Sequence, residues 1–223
     1  MTFSIAATDG QGRFGIAVSS SSPAVAARCA HLRDGVGAVS SQNITDPRLG
    51  LALLDRLQAG CSAQEAIDAV VHGTPDVDYR QLVVLDARGG AAVFSGKHTL
   101  GVFGDGRGPS SVSAGNMLAD PAVAQSLCDA FEASTGELER RLLSALEAAE
   151  AAGGEVGPVR SAGISVVSGH GWRDTDLRVD WHDDPIAELG RLLEVWLPQR
   201  QDYVARGLDP AASVGYGVPG DDR

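Results

Sequence analysis

The sequence predicts an α+β protein, a four-layer αββα sandwich of two mainly antiparallel sheets with helices on both outer sides. Three observations point there. Short strand-like runs follow one another at hairpin distance. The helical stretches come in pairs instead of alternating with strands, which argues against doubly wound and barrel architectures. The strands are rich in Gly, Ala and Ser, as strands are when something covers them closely on both faces.

Each element has its own local reason. Phe3-Ser4-Ile5-Ala6-Ala7 runs into the turn Asp9-Gly10-Gln11-Gly12, and Phe14-Gly15-Ile16-Ala17-Val18 follows as a second strand. Four serines, residues 19–22, precede Pro23. Ala24 to Leu32 is a compact run, and Asp34-Gly35 opens a third strand over Val36 to Ser41. From Pro47 the period changes: Leu49, Leu51, Leu53, Leu54 and Leu57 lay out a helical face that ends at Gly60. Ser62 stands three residues before Glu65, a capping box that opens a second helix through Val71. Strands return with Gln81 to Leu85, a turn over Asp86 to Gly90, and Ala91 to Phe94. Two more short runs, near Thr99–Phe103 and Ser111–Ala114, flank the glycine-rich GDGRG. Asp120-Pro121 is an N-cap followed by proline at the first helical position, and that helix runs to about Glu132. Another spans Glu137 to about Ala152, with Leu138, Leu142, Leu143 and Leu146 on one face. Ala162–Val167 and Leu177–Trp181 are the last strands, and Pro185 to about Leu197 is the last helix. The predicted organisation is one domain over residues 1–198 and a partly irregular C-terminal tail over 199–223.

Composition narrows the function classes. At 223 residues the chain can bury a substantial core. Its 43% hydrophobic and 21% charged residues are those of a soluble globular protein. No apolar run approaches the roughly 18 residues of a membrane-spanning helix. The start, MTFSIAATDG, lacks the charged and apolar regions of a signal peptide. Three distant cysteines, at 29, 61 and 128, form neither a disulfide framework nor a zinc ribbon. The expectation is a cytoplasmic protein with no membrane partner, no metal and no other cofactor. A net charge of −11 and a pI near 4.8, with no basic stripe, speak against a nucleic-acid partner.

The familiar catalytic motifs are missing: there is no Walker A loop, HExxH, CxxC or GxSxG. GDGRG has turn spacing but no helix after it. Lys97 is the only lysine, and its setting, SGKHTL, reads as a strand junction. The five histidines, at 31, 72, 98, 170 and 182, are singly spaced. His182, within DWHDDP, stands among four ionisable groups at a strand-to-helix corner, where the plainer reading is that Asp183 or Asp184 caps the last helix. The remaining candidate is Thr2. A small second residue favours trimming of the initiator methionine, and an N-terminal threonine carries a hydroxyl nucleophile and a free α-amine together. An α-amine has an ordinary pKa of about 7.7–8.0, so it can take the hydroxyl proton at neutral pH. Many proteins begin Met-Thr, and a chain that keeps Met1 cannot use this chemistry.

Over about residues 2–197 the sequence resembles the DUF1028 family, placed in the N-terminal-nucleophile (Ntn) hydrolase superfamily. The resemblance is carried by TFSIAATD, SSQNITDPRLGLALLDRLQAG, YRQLVVLDARGGAAVFSG, SAGNMLAD, ERRLLSALEAAEAAGG, RSAG and DLRVDWHDDPIAELGRLL. It implies an Ntn-hydrolase-like αββα fold and a homo-oligomer, whereas no activity is established for the family. By the same resemblance Thr2 opens the family's first strand as the candidate nucleophile. Gln42 ends the third strand, Asn116 lies in the Gly-Asn-Met motif as a candidate oxyanion donor, and Asp180 and His182 match an Asp-x-His corner. For Gln42 and Asn116 the alternative is a strand-end amide that satisfies loop backbone.

Two departures stand out. Where the family often has Gly-Asp-x-Arg-Gly-x-Gln-Ser-Ala, this chain reads Gly154-Glu155-Val156-Gly157-Pro158-Val159-Arg160-Ser161-Ala162, with Arg160 before the serine. Asp46-Pro47 replaces a frequent Asn-Pro. Arg160, Arg28 and Arg33 are the cations that could meet a substrate carboxylate. The functional expectation is an Ntn-type amidohydrolase cleaving an amide-like C–N bond of a small molecule or short peptide. Thr2 and Asn116 would be catalytic, with Gln42, Asp180, His182 and Arg160 binding substrate. The alternative is a non-catalytic protein that uses the same cleft to bind a small ligand or to assemble, favoured by the unusual 154–160 segment and by retention of Met1.

Overall fold

The computed structural model describes residues 1–221; residues 222–223, the end of the predicted tail, lie outside them. β1 (Thr2–Thr8) and β2 (Phe14–Ser20) form the opening hairpin, each buried along its whole length. A five-residue helix, α1 (Val25–Cys29), leads to β3 (Ala30–Arg33) and β4 (Gly37–Asn43). The helical pair follows as α2 (Pro47–Gln58) and α3 (Ala63–Gly73). Asp46 caps α2, and the predicted Ser62–Glu65 capping box starts α3. Next come β5 (Arg80–Asp86), β6 (Ala91–Ser95), β7 (Gly104–Arg107) and β8 (Ser111–Asn116). The second helical pair is α4 (Ala122–Ala133) and α5 (Leu138–Ala151). The chain then forms β9 (Ser161–Val167), β10 (Arg173–Val179), α6 (Pro185–Trp196) and α7 (Arg200–Leu208).

The strands make two sheets. One has six strands in the order β10-β9-β2-β1-β8-β7; the other has four in the order β3-β4-β5-β6, and neighbouring strands are antiparallel. Alternation along each strand sends side chains to opposite faces. Phe3, Ile5, Ala17 and Ile164 pack outward against Leu127, Phe131, Leu142 and Leu189 of α4, α5 and α6. Val39, Leu82 and Val84 pack outward against Leu53, Leu54 and Ile67 of α2 and α3. Ala6, Phe14, Ala38, Val83, Leu85, Val112 and Ala114 meet between the sheets. The result is an α+β sandwich of two antiparallel sheets with helices outside each.

Three details differ from the sequence reading. The run near Thr99–Phe103 is a loop, and the strand is the glycine-rich Gly104–Arg107 beside it. Close approach to α4 explains the glycines: a Cβ on Gly106 would stand 2.6 Å from the Ala124 carbonyl oxygen. The compact run after Pro23 divides into α1 and β3. Asp120 accepts from the Ala122 N–H at 2.8 Å and Pro121 already has helical backbone at φ −56° and ψ −30°, as the sequence reading has it. The predicted tail opens with α7, and no helix or strand follows it among the described residues.

α7 is held by a buried charge. The Glu139 side chain is fully buried and accepts from Arg13 Nη2 at 2.8 and 3.0 Å, Arg200 Nη1 at 2.7 Å and Thr175 Oγ1 at 2.9 Å. Burial alone would raise its pKa; Arg13 and Arg200 outweigh that and hold the carboxyl below its ordinary range. Removing one partner from a buried ion cluster leaves charge uncompensated. Arg200→Ala is therefore expected to destabilise the protein by about 2–4 kcal/mol in urea unfolding. A loss below about 0.5 kcal/mol would show that α7 is dispensable to the core.

Candidate functional site

The space between the sheets is apolar at one end and polar at the other. The inward face of β1 reads Thr2, Ser4, Ala6, and that of β4 reads Ala38, Ser40, Gln42. β5 offers Gln81, Val83 and Leu85, β8 offers Val112, Ala114 and Asn116, and β2 ends with Ser20. Register brings the polar members to one end, since Thr2 stands opposite Asn116 and Gln42 opposite Gln81. All seven of these polar residues are buried.

Buried amides must find partners, and here they find one another. Gln42 Nε2 donates to the Ala114 carbonyl at 3.1 Å and to Gln81 Oε1 at 2.8 Å. Ser4 and Ser40 donate to Gln42 Oε1 at 2.7 and 2.9 Å. Gln81 Nε2 donates to the Gly115 carbonyl at 3.1 Å and to Ser95 Oγ at 3.0 Å. The backbone carbonyls thus fix which way each glutamine amide points. Gln81 Oε1 also accepts from Asn116 Nδ2 at 3.0 Å, so Asn116 uses one N–H on the ladder. Its Oδ1 is left buried without a partner. Asn43 and Met117, the residues after Gln42 and Asn116, both have left-handed backbone, at φ 71° and 51°. For methionine that conformation is uncommon and costly.

Thr2 is 5% exposed. Its Oγ1 donates to the Met1 carbonyl oxygen at 2.5 Å and lies 3.3 Å from Ser20 Oγ. The Ser20 hydroxyl also donates to the Met1 carbonyl and accepts from the Ser22 N–H at 3.0 Å. The Met1 carbonyl therefore lies at the polar end of the space. Over it runs the departing segment noted in the sequence. Val156 N–H bonds the Met117 carbonyl at 2.8 Å on the β8 side, and Arg160 N–H bonds the Ser20 carbonyl at 2.8 Å on the β2 side. β1 lies between β8 and β2, so residues 156–160 strap across its first residues.

Glu155 opens that strap. It is 4% exposed, and neither carboxylate oxygen has a hydrogen bond of good geometry, although Ser21 stands close enough to act on it. Burial pushes its pKa up to about 7, while the Met1 ammonium and Ser21 act in the opposite direction.

The other sequence candidates are placed elsewhere. Asp180 is exposed and paired with Arg178 at 2.8 Å. His182 is exposed, and its Nδ1 accepts from the Asp184 N–H at 3.0 Å, while Asp184 caps α6. The Arg160 side chain pairs with Asp183 and lies over Trp181. This corner touches the Thr2 end through backbone alone. Arg28 bonds the Pro23 and Ala24 carbonyls, and Arg33 bonds Gln58 and Asp55. Lys97 pairs with Asp78 on the surface. Among the described residues no three His, Cys, Asp or Glu side chains converge as a metal site, and no helix is long and apolar enough to cross a membrane.

Sequence reading alone did not single out Ser20, Gln81 or Glu155 as site residues. For Ser20 and Gln81 a signal was present: each is polar on a strand face whose other members are apolar, at the end shared with Thr2. Glu155 lies outside any strand and had no such parity.

Residues 2–189 match the DUF1028 family model, described as a family of unknown function. The crystal structure of SPO2555 from Silicibacter pomeroyi, itself a DUF1028 protein, matches with TM-score 0.81 and 32% identity, covering 87% of this chain and 88% of that one. Anbu, the ancestral beta-subunit from Yersinia bercovieri, aligns over 88% of this chain and 97% of its own at 11% identity and TM-score 0.41, too low a likeness to bear on fold or function. No curated protein matches.

Two consequences are measurable. Gln81→Leu leaves the Asn116 nitrogen and one of the two Gln42 Nε2 hydrogens without an acceptor in a dry interior and is expected to cost about 2–4 kcal/mol in denaturant unfolding; a change near zero would mean that the ladder relaxes or admits water. For Glu155 the folded pKa lies above the unfolded one, so the folded state binds the extra proton between about pH 4.5 and 7. Stability contributed by the neutral acid is present below pH 4.5 and lost as pH rises through about 7. With Met1 in place, Glu155→Gln should be nearly neutral at pH 4.5 and stabilising by about 3 kcal/mol at pH 8. Equal unfolding midpoints at pH 8 would contradict the assigned environment.

Proposed function

The chain belongs to the DUF1028 family, and for this member we propose an Ntn-type amidohydrolase of the cytoplasm that works as a homo-oligomer on a small molecule or short peptide. Thr2 becomes its nucleophile once Met1 is removed. The observation that carries the proposal is the placement of Thr2. It begins β1 at the polar end of the inter-sheet space, buried, with its hydroxyl bonded to the carbonyl of the residue that must leave.

In the proposed reaction the freed Thr2 α-amine takes the Oγ1 proton, directly or through a water. Oγ1 attacks the substrate carbonyl carbon, and the second Nδ2 hydrogen of Asn116 and the Ser20 hydroxyl meet the oxyanion. The amine returns the proton to the leaving nitrogen, the C–N bond breaks and an ester on Thr2 remains. Water, deprotonated by the same amine, cleaves the ester and releases the acid. Gln42 acts here as a positioning residue through Gln81, because both its nitrogen and its oxygen are engaged inside the ladder. Arg160, Asp180 and His182 contribute by shaping the corner on which the strap ends.

One observation favours the second reading, a non-catalytic protein that binds a ligand at the same end. The Gln42 amide and one Asn116 N–H are already engaged with Gln81, as in a purely structural ladder. Two measurements separate the readings. Intact mass of protein isolated from its own cells is expected to lack one methionine residue. Thr2→Ala should lower amide turnover at least about 10³-fold with the thermal transition unchanged, and Thr2→Ser should keep part of it. A mass that includes Met1, or turnover indifferent to Thr2→Ala, would overturn the enzymatic reading.

A further inference from the structure

At the end of the sandwich remote from Thr2 the two sheets part around a cavity of about 390 Å³. Register sets the distance: β9 pairs Ser161 with Ser20, beside Thr2, and Val167 with Phe14, and it is Val167 that lines the cavity. One wall is the β3–β4 turn, from Leu32 to Asp34, and the other is the β9–β10 hairpin with Trp172 and Arg173. Asp34 fastens the walls to each other, its two oxygens accepting from the Gly169 and Gly171 N–H groups at 2.7 Å each. Both glycines have left-handed backbone, at φ 91° and 85°, and open space where a Cβ would stand. They therefore serve the turn that delivers these N–H groups, not close packing. The two walls are held in a fixed relation, as in ligand sites that are formed before a ligand arrives.

The lining combines apolar surface with positive charge. Buried Val167 and half-buried Leu32 extend the core between the sheets to the cavity floor. The Trp172 indole is 40% exposed, yet it is backed from α7, where a Cβ on Gly207 would stand 3.3 Å from two of its ring carbons. The His170 ring lies 5.5 Å from it. An indole held in this way and still partly open offers a platform for a flat group. Arg33 spends its terminal nitrogens on Gln58 and Asp55, and Arg173 spends its own on Asp176 and the Ala30 carbonyl. These bonds fix both guanidinium groups at the cavity and leave the Nε–H of each without a protein partner. Asp55 and Asp176 lie outside the lining, and Asp34 has both oxygens committed to backbone. We propose that this cavity binds a small flat anion, an aromatic or heteroaromatic carboxylate, with its ring against Trp172 and its charge at Arg33 and Arg173. The site is separate from the chemistry proposed for Thr2 and requires neither removal of Met1 nor turnover.

The test is calorimetric titration of the full chain with benzoate, with benzyl alcohol, which keeps the ring without the charge, and with acetate, which keeps the charge without the ring. Benzoate is expected to bind at least about fivefold tighter than benzyl alcohol, the range of a partly exposed ion pair. Acetate should show no binding at the same concentrations. Trp172→Ala should weaken benzoate binding at least about tenfold, the range of an aromatic contact together with its buried area. Arg173→Met and, independently, Arg33→Met should narrow the preference for the carboxylate, and Arg173→Lys should keep part of it. Thermal transitions report that each variant is folded, and Thr2→Ala should leave the affinity unchanged. Absence of benzoate binding, equal affinity for benzyl alcohol, or acetate binding as tight as benzoate would overturn the site. So would affinity indifferent to Trp172→Ala in a folded variant, or a carboxylate preference that survives both arginine substitutions. Loss of binding in Thr2→Ala would overturn it too, by placing the ligand at the other end of the sandwich.

Discussion

Gln81 Oε1 accepts one hydrogen bond from Gln42 in its own sheet and another from Asn116 in the sheet opposite. Apolar contacts between the sheets, such as Phe14 against Leu85, are non-directional and tolerate small shifts. Amide bonds do not. Ser4 to Gln42, Gln42 to the Ala114 carbonyl and Gln81 to the Gly115 carbonyl make three further links across the gap, so the two sheets are tied at fixed distance and orientation at this end. That constraint places Thr2, Ser20 and Asn116 together on strands that are otherwise ordinary. Each ladder bond is modest in net energy, yet each would be expensive to leave unmade in a dry interior. The polar end is therefore rigid because it is buried.

The same accounting locates what is incomplete. The glutamine nitrogens, the serine hydroxyls and Gln81 Oε1 all have partners. The deficits fall on Asn116 Oδ1 and the two Glu155 oxygens. Asn116 faces the start of β1 across its own sheet, and Glu155 lies where the strap begins to cross it. Sequences that specify a fold consistently tend to break their own rules where they do chemistry. Left-handed backbone at Asn43 and Met117 fits the same pattern, because it turns the chain directly after the two residues that hold the ladder to its strands.

Much of the layering was legible in the sequence because its signals are local. The Ser62–Glu65 capping box, the aspartate-proline starts of α2 and α6, and the leucine faces of α2 and α5 are written in a few consecutive residues. β7 was not legible, because its glycines answer to the α4 backbone, remote in the chain. Nor was α7, whose anchor is Arg200 meeting a glutamate sixty-one residues earlier. At the site Thr2 was named from its place after Met1, Gln42 and Asn116 from resemblance, and parity on the strands would have added Ser20 and Gln81. Asp180 and His182 looked promising because ionisable groups crowd DWHDDP. The crowding resolves into a helix cap and surface pairs, which is the commoner fate of such clusters.

The strap over the first residues is attached at its two ends through main chain, from Val156 to Met117 and from Arg160 to Ser20. Main-chain anchors do not depend on side-chain identity. The exposed Val156 and Pro158 can therefore change while the ladder beneath them stays intact, whereas Gly157 is held by its left-handed backbone and Val159 by the core. A change in the covering segment thus alters what passes over the first residues of β1 without rebuilding the floor beneath it.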